Sequence, residues 1–142
     1  MKYFEDVTVG EPLPEIDFSV SLVSLVMYAG ATWDFHRYHY DTEFVRMAGM
    51  PGPFMDGQML GALLARQLTD WGGADSFVRK LSYRQRAMVY EGDTISIRGK
   101  VSGTSVANGC KLAHCTLSVT GSDGRVVARD ATASIELPSR PA

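Results

Sequence analysis

The sequence is poor in cysteine, with Cys110 and Cys115 the only two in 142 residues. Two thiols cannot supply a disulfide framework or a four-ligand zinc site. They stand an odd number of positions apart, so a regular strand sends them to opposite faces, which opposes both a disulfide and shared metal ligation. An excess of either charge is also missing: 14 Lys and Arg stand against 16 Asp and Glu, a formal net charge of −2. Without a basic surplus there is no general grip on phosphate backbones, and no nucleic-acid partner is expected. No run of about 18 uncharged apolar residues exists, so no membrane-spanning helix is expected. The acidic residues of the opening MKYFEDVTVGEPLPE interrupt any signal-peptide core. A reducing, cytoplasmic setting is expected from these absences. Repeats, low-complexity tracts and linkers are absent too, so residues 1–142 read as one domain. At 45% hydrophobic residues the chain has enough apolar surface to fold.

What is present falls into two halves. After an irregular lead-in with Gly10, Pro12 and Pro14, Ile16–Val20 reads as a short strand. Ser21 reads as a helix N-cap, and Leu22, Val23, Leu25, Val26 and Ala29 form a stripe that stops at Gly30. Residues 31–56 lack clear periodicity, and a structureless stretch of that length is uncommon and often functional. Gly57–Trp71 reads as a helix with apolar residues on nearly every face, the pattern of full burial. Gly72-Gly73 ends it.

From Phe77 the period becomes two. Leu81, Tyr83 and Val89 are read on one face of a first strand, with a turn at Glu91-Gly92-Asp93. Ile95, Ile97 and Val101 alternate with polar residues, and Asn108-Gly109 marks a turn. Lys111–Val119 follows, Gly121–Gly124 closes a hairpin, and Ala131, Ala133, Ile135 and Leu137 alternate last. A buried helix ahead of an antiparallel meander gives an α+β layout. A curled sheet wrapped around that helix is the hotdog fold.

The densest polar cluster is Trp33-Asp34-Phe35-His36-Arg37-Tyr38-His39-Tyr40-Asp41. On a helix Asp34 and His39 would point about 140° apart, at roughly 100° per residue. In a loop they can converge on one water as a general acid/base pair. The alternative is a surface turn of solvated side chains.

These residues resemble the MaoC-like branch of the hotdog superfamily, the (R)-specific enoyl-CoA hydratases and dehydratases. The family motif is Asp, any residue, Asn-Pro, an aliphatic residue, His, any residue and Asp. It falls on Asp34-Phe35-His36-Arg37-Tyr38-His39-Tyr40-Asp41. The lead-in Tyr3-Phe4-Glu5-Asp6 with Val9-Gly10, the helix ending in Ala29-Gly30, and the Glu91-Gly92-Asp93-Thr94 turn extend the likeness over residues 3–137. The departures are His36 and Arg37 for Asn-Pro, Tyr38 for the aliphatic residue, Asp56 for the His before the helix glycine, and Ala62 for a Ser. Thr69-Asp70-Trp71 resembles the helix end of small hydratase subunits that act on steroid side-chain enoyl-CoA thioesters beside a second, degenerate hotdog chain.

The resemblance implies a hydro-lyase acting on an acyl-CoA thioester. Water held between Asp34 and His39 adds to C3 of a trans-2-enoyl thioester while a proton goes to C2. Backbone N–H groups at the start of the central helix, Gly57 foremost, stabilise the charge on the thioester oxygen. A plain helix start capped by Asp56 is the alternative for Gly57, and the two roles are compatible. No metal and no redox cofactor are needed. His36, Tyr38, Asp56 and Met59 are candidate substrate-binding residues. His36 either hydrogen-bonds in the pocket or is solvated. Arg84, with Arg86 on one strand face and Arg79 and Lys80 near, is a candidate for CoA phosphates or a solubilising charge. Met47, Met50, Met55 and Met59 line an acyl pocket or pack the core. His114 reads as structural. Dehydration of a carrier-bound or free polyketide-type intermediate and a non-catalytic role in a heteromeric hydratase are the competing readings. The family pairs two sheets edge to edge, which predicts a homodimer or a heteromer with another hotdog chain.

Overall fold

The computed structural model describes residues 1–141. Its elements run β1 (Ile16–Ser19), α1 (Leu22–Thr32), α2 (Thr42–Met47), α3 (Gly57–Gly72), β2 (Phe77–Ser82), β3 (Thr94–Ala107), β4 (Cys110–Gly121) and β5 (Val126–Glu136). The five strands form one antiparallel sheet in the order β1-β3-β4-β5-β2. This is the hotdog arrangement expected from the sequence.

Alternation builds the sheet. Ile95, Ile97, Val101, Ala113, Cys115, Leu117, Val119, Ala131, Ala133 and Ile135 are buried on one face, as a period of two requires. Asn108 and Gly109 both hold positive φ, 50° and 79°, the conformation of a tight hairpin turn that matches strand twist. Register shifts at Val101/Gly103 and at Leu117/Val119 add local twist. Cys110 and Cys115 are both free thiols, and burial pushes the Cys115 thiol up to about 11. His114 lies on the sheet face opposite Cys115, where its ring nitrogens bond the hydroxyls of Ser105 at 2.8 Å and Ser134 at 2.9 Å.

α3 lies against the buried face. Met59, Leu60, Leu63, Leu64, Gln67 and Leu68 are buried, while Gln58, Ala62, Arg66, Thr69 and Asp70 are exposed. The expectation of a helix buried all round is therefore corrected. One sheet covers one side of it, and the second apolar stripe includes alanine, which tolerates exposure. Gln67 is fully buried, and its Nε2 donates to the carbonyls of Pro14 (2.8 Å) and Ile97 (3.0 Å). That amide ties the lead-in to β3.

Three further expectations are corrected. α1 is capped by Ser21 through a reciprocal bond with Ser24, as read, but it continues past Gly30 to Thr32 and ends on Trp33 at φ 60°. Its Val23, Val26 and Met27 are exposed. Residues 31–56 are not structureless: a 3-10 turn spans Arg37–His39, and α2 starts at Thr42 because the Asp41 carboxylate accepts from Phe44 N–H. The strand read through Tyr83 and Val89 ends at Ser82. Tyr83 leaves the sheet for α3, and Val89 O accepts from Met55 N–H instead. Arg84 and Arg86 thus lie beyond β2, both exposed, and do not share a strand face.

Candidate active site

Three segments meet at the first turn of α3. The left-handed cap at Trp33 turns the chain out of α1, and Asp34 N–H then donates to Ala29 O at 3.0 Å. This fixes Asp34 one step past the helix end. One of its carboxylate oxygens accepts from His36 N–H at 3.3 Å.

His39 is held by the strand-like segment before α3. Its Nδ1 lies 2.8 Å from Phe54 O. A carbonyl only accepts, so Nδ1 carries a proton, and in the neutral ring Nε2 has the lone pair a base needs. Edge packing of the imidazole on the Phe54 ring, and Tyr38 against Phe44 and Phe54, immobilise the loop.

Asp56 caps α3. Its carboxylate accepts from Gln58 N–H at 2.9 Å, and its carbonyl accepts from Met59 and Leu60 N–H. Among the described residues, Gly57 N–H is the one amide of this first turn with no partner. It carries the positive end of the helix dipole.

The candidate ligating atoms of Asp34, His39 and Asp56 all lie within 4.8 Å of one another. Two hydrogen bonds of ordinary length meeting at a water span about 4.6 Å, so the cluster is spaced for a shared water. The same three groups are of the type that binds a divalent cation. The partial positive charge of the α3 N-terminus works against a cation there.

These residues line a narrow crevice, closed by Leu25, Tyr28, Ala29 and Met59. Burial, and then the charge of Asp56, push the Tyr28 phenol above its ordinary pKa. Tyr28 therefore stays a neutral hydroxyl donor. Sequence reasoning missed Leu25, Tyr28 and Ala29. Their i, i+3, i+4 spacing, ahead of Asp34, was the available signal.

The structure thus brings Asp34, His39, Asp56 and Met59 together at one pocket, with Gly57 next to Asp56 at the start of α3. It places three other candidates elsewhere. His36 is exposed and stacks on Tyr38 at 5.0 Å. Tyr38 packs into the aromatic wall behind His39 rather than lining the pocket. Arg84 lies outside the pocket lining. Arg79 is engaged by Glu136. Met55 and Met59 point into the core, whereas Met47 is on the surface. A wider groove runs across β3, β4 and β5 beside the lead-in, through Arg98, Lys100 and Arg129. It contains none of the acid–base cluster, so the chemistry is assigned to the smaller pocket.

The chain is similar to several known proteins. The MaoC like domain family matches residues 5–123. The 3-oxo-4,17-pregnadiene-20-carboxyl-CoA hydratase beta subunit of Mycobacterium tuberculosis is 29% identical over 132 residues, covering 93% of this chain and 96% of that protein. The ChsH1-ChsH2 complex from Mycobacterium tuberculosis contains a chain with a TM-score of 0.80 and 26% identity, over 92% of this chain and 98% of that one. The R-hydratase PhaJ1 of Pseudomonas aeruginosa shares the fold at a TM-score of 0.87 and 19% identity, over 97% of this chain and 86% of that one. With its five-stranded antiparallel sheet against α3 and its match over most of its length, the chain belongs to the MaoC-like hydratase and dehydratase family of hotdog proteins.

Proposed function

We propose that the protein hydrates a trans-2-enoyl thioester, or dehydrates the matching 3-hydroxyacyl thioester, with CoA as the carrier. The observation that carries this reading is the convergence of Asp34, His39 and Asp56 on one pocket at the start of α3, next to the unpartnered Gly57 N–H. His39 Nε2 and the Asp34 carboxylate hold the water. His39 Nε2 takes one proton as the water oxygen bonds C3 and the C2–C3 π pair shifts onto the thioester oxygen. The imidazolium then gives that proton to C2 as the enolate collapses, while Asp34 accepts a hydrogen bond from the other hydrogen of the water and orients it. Negative charge gathers on the thioester oxygen, where Gly57 N–H donates to it. Tyr28 and Met59 flank the acyl group. Asp34→Asn and His39→Ala should each lower enoyl-CoA hydration by about 10²- to 10⁴-fold, followed by loss of enoyl absorbance. Thermal melts should stay near wild type. Retained turnover in both variants overturns the proposal.

A second reading is favoured by two observations. In the single chain this crevice holds almost no free volume, whereas ligand sites begin at roughly 300 Å³. The 29% identical relative is named a beta subunit. On this reading the chain is a hotdog subunit whose acyl site is complete only with a second, different hotdog chain. Activity that appears only on mixing with such a chain would establish it, and full activity of the isolated chain would remove it.

A further inference from the structure

Glycine at position 57 raises a mechanical question. It admits a substrate close to the backbone, but it also leaves the donor peptide with no side chain to hold it. Within the helix that peptide is held through the Asp56 carbonyl, which accepts from Met59 and Leu60 N–H, and further restraint can come from outside. The segment after β2 provides it.

Tyr83 leaves the end of β2 and crosses to the first turn of α3. Its hydroxyl donates to Gly57 O at 2.9 Å. That carbonyl belongs to the peptide immediately after the one carrying Gly57 N–H. The ring reaches it only because residue 61, one turn later, is glycine. A Cβ there would fall 2.8 Å from Tyr83 Cζ, and closer still to the hydroxyl, distances real side chains do not adopt. Gln85 closes the other side. Its Oε1 lies 3.3 Å from where a Gly57 Cβ would be, and its Nε2 donates to Ala87 O at 3.0 Å. Gly61 is buried and Tyr83 half-buried, so the contact is shielded from water.

We infer that Tyr83, seated in the notch left by Gly61, is a positioning residue that fixes the Gly57 peptides and so aims Gly57 N–H at the reacting oxygen. The inference rests on the enoyl-thioester reading above. Tyr83 does not face the acid–base cluster and does not line the pocket. Its effect passes through the backbone. Removing its hydroxyl leaves substrate contacts unchanged and loosens a donor that matters most when charge develops. The loss should therefore fall on kcat and spare KM.

The test uses the full chain, in its active assembly, with crotonyl-CoA and a longer enoyl-CoA. Tyr83→Phe should lower kcat about tenfold on both substrates and leave KM within about twofold. Gly61→Ala keeps the phenol but evicts it, and should give a similar loss. The double variant should be little worse than either single one, because both break the same contact. Independently of turnover, the amide resonances of Gly57 and Gln58 should shift in ¹⁵N-labelled Tyr83→Phe, while those of β4 stay in place. Unchanged kcat, a loss confined to KM, or unmoved Gly57 and Gln58 resonances overturns the inference. Asp34→Asn and His39→Ala run in parallel separate the two claims. A dead Asp34→Asn beside a fully active Tyr83→Phe rejects the positioning role alone, whereas full activity of both Asp34→Asn and His39→Ala rejects the functional reading.

Discussion

The sheet with α3 and the segment from Trp33 to Asp56 are held together by different means. In the sheet, backbone ladders close on themselves and side chains are free to pack. Apolar residues of β3, β4 and β5 alternate into the core with almost no exposure. In the segment, few ladder bonds exist, so side chains serve the backbone. Asp34 accepts from His36 N–H, Asp41 from Phe44 N–H, Asp56 from Gln58 N–H, and His39 bonds Phe54 O. Polar residues that elsewhere would be surface decoration are here both scaffold and candidate chemistry. Stability in one region comes from buried area, and order in the other comes from individual hydrogen bonds.

Substitutions can break that contrast. Leu64→Ala removes a fully buried side chain from the α3–sheet contact. It should destabilise the protein by about 2–5 kcal/mol in urea unfolding, with little change in the loop's local order. A loss under about 1 kcal/mol would mean the core tolerates collapse around the cavity. Asp41→Ala should do the reverse. Faster hydrogen exchange is expected across residues 37–47, with the sheet amides unaffected. The carboxylate of Asp41 is held below its usual pKa chiefly by Phe44 N–H and then by Arg37. Its contribution is therefore complete above the unfolded value near 4 and lost as pH falls through the lowered folded value. Exchange in this segment should rise only under acid conditions in wild type. Trp33→Gly is the gentlest probe. Trp33 is 83% exposed and sits at φ 60°, where glycine is at ease. Stability should hold or rise by about 0.5–1 kcal/mol. A clear loss would show that the Trp33–Phe35 edge contact holds the loop.

The same contrast explains what was legible in the sequence. Period-two runs specified β3, β4 and β5, and Asn108-Gly109 specified their first hairpin. Those features depend on near neighbours. α3 was placed to within a residue at its end, but its burial was overread, because composition alone does not say how many sides a single sheet covers. The end of α1 was missed because Trp33 takes a left-handed cap that Gly30 seemed to offer. α2 was missed because six residues carry too little periodicity, although Asp41 with Glu43 was a usable cap signal. At the site, Asp34 and His39 were visible through motif spacing. Tyr28 and Tyr83 were not, since each meets the site only after the chain returns from another element.

The strand order carries a consequence for how the molecule is made. Ile16 in β1 pairs with Ile97, and Phe77 in β2 pairs with Glu136. On a ribosome, the two outer strands and the apolar helix between them emerge before β3, β4 and β5 exist. At roughly 5–20 residues per second, α3 waits several seconds with Leu60, Leu64 and Leu68 uncovered. The two outer pairs join residues far apart in sequence, Ile16 with Ile97 and Phe77 with Glu136, which slows closure. During synthesis this chain therefore presents its future interior first, and its dependence on chaperones should be set by that delay rather than by its final stability.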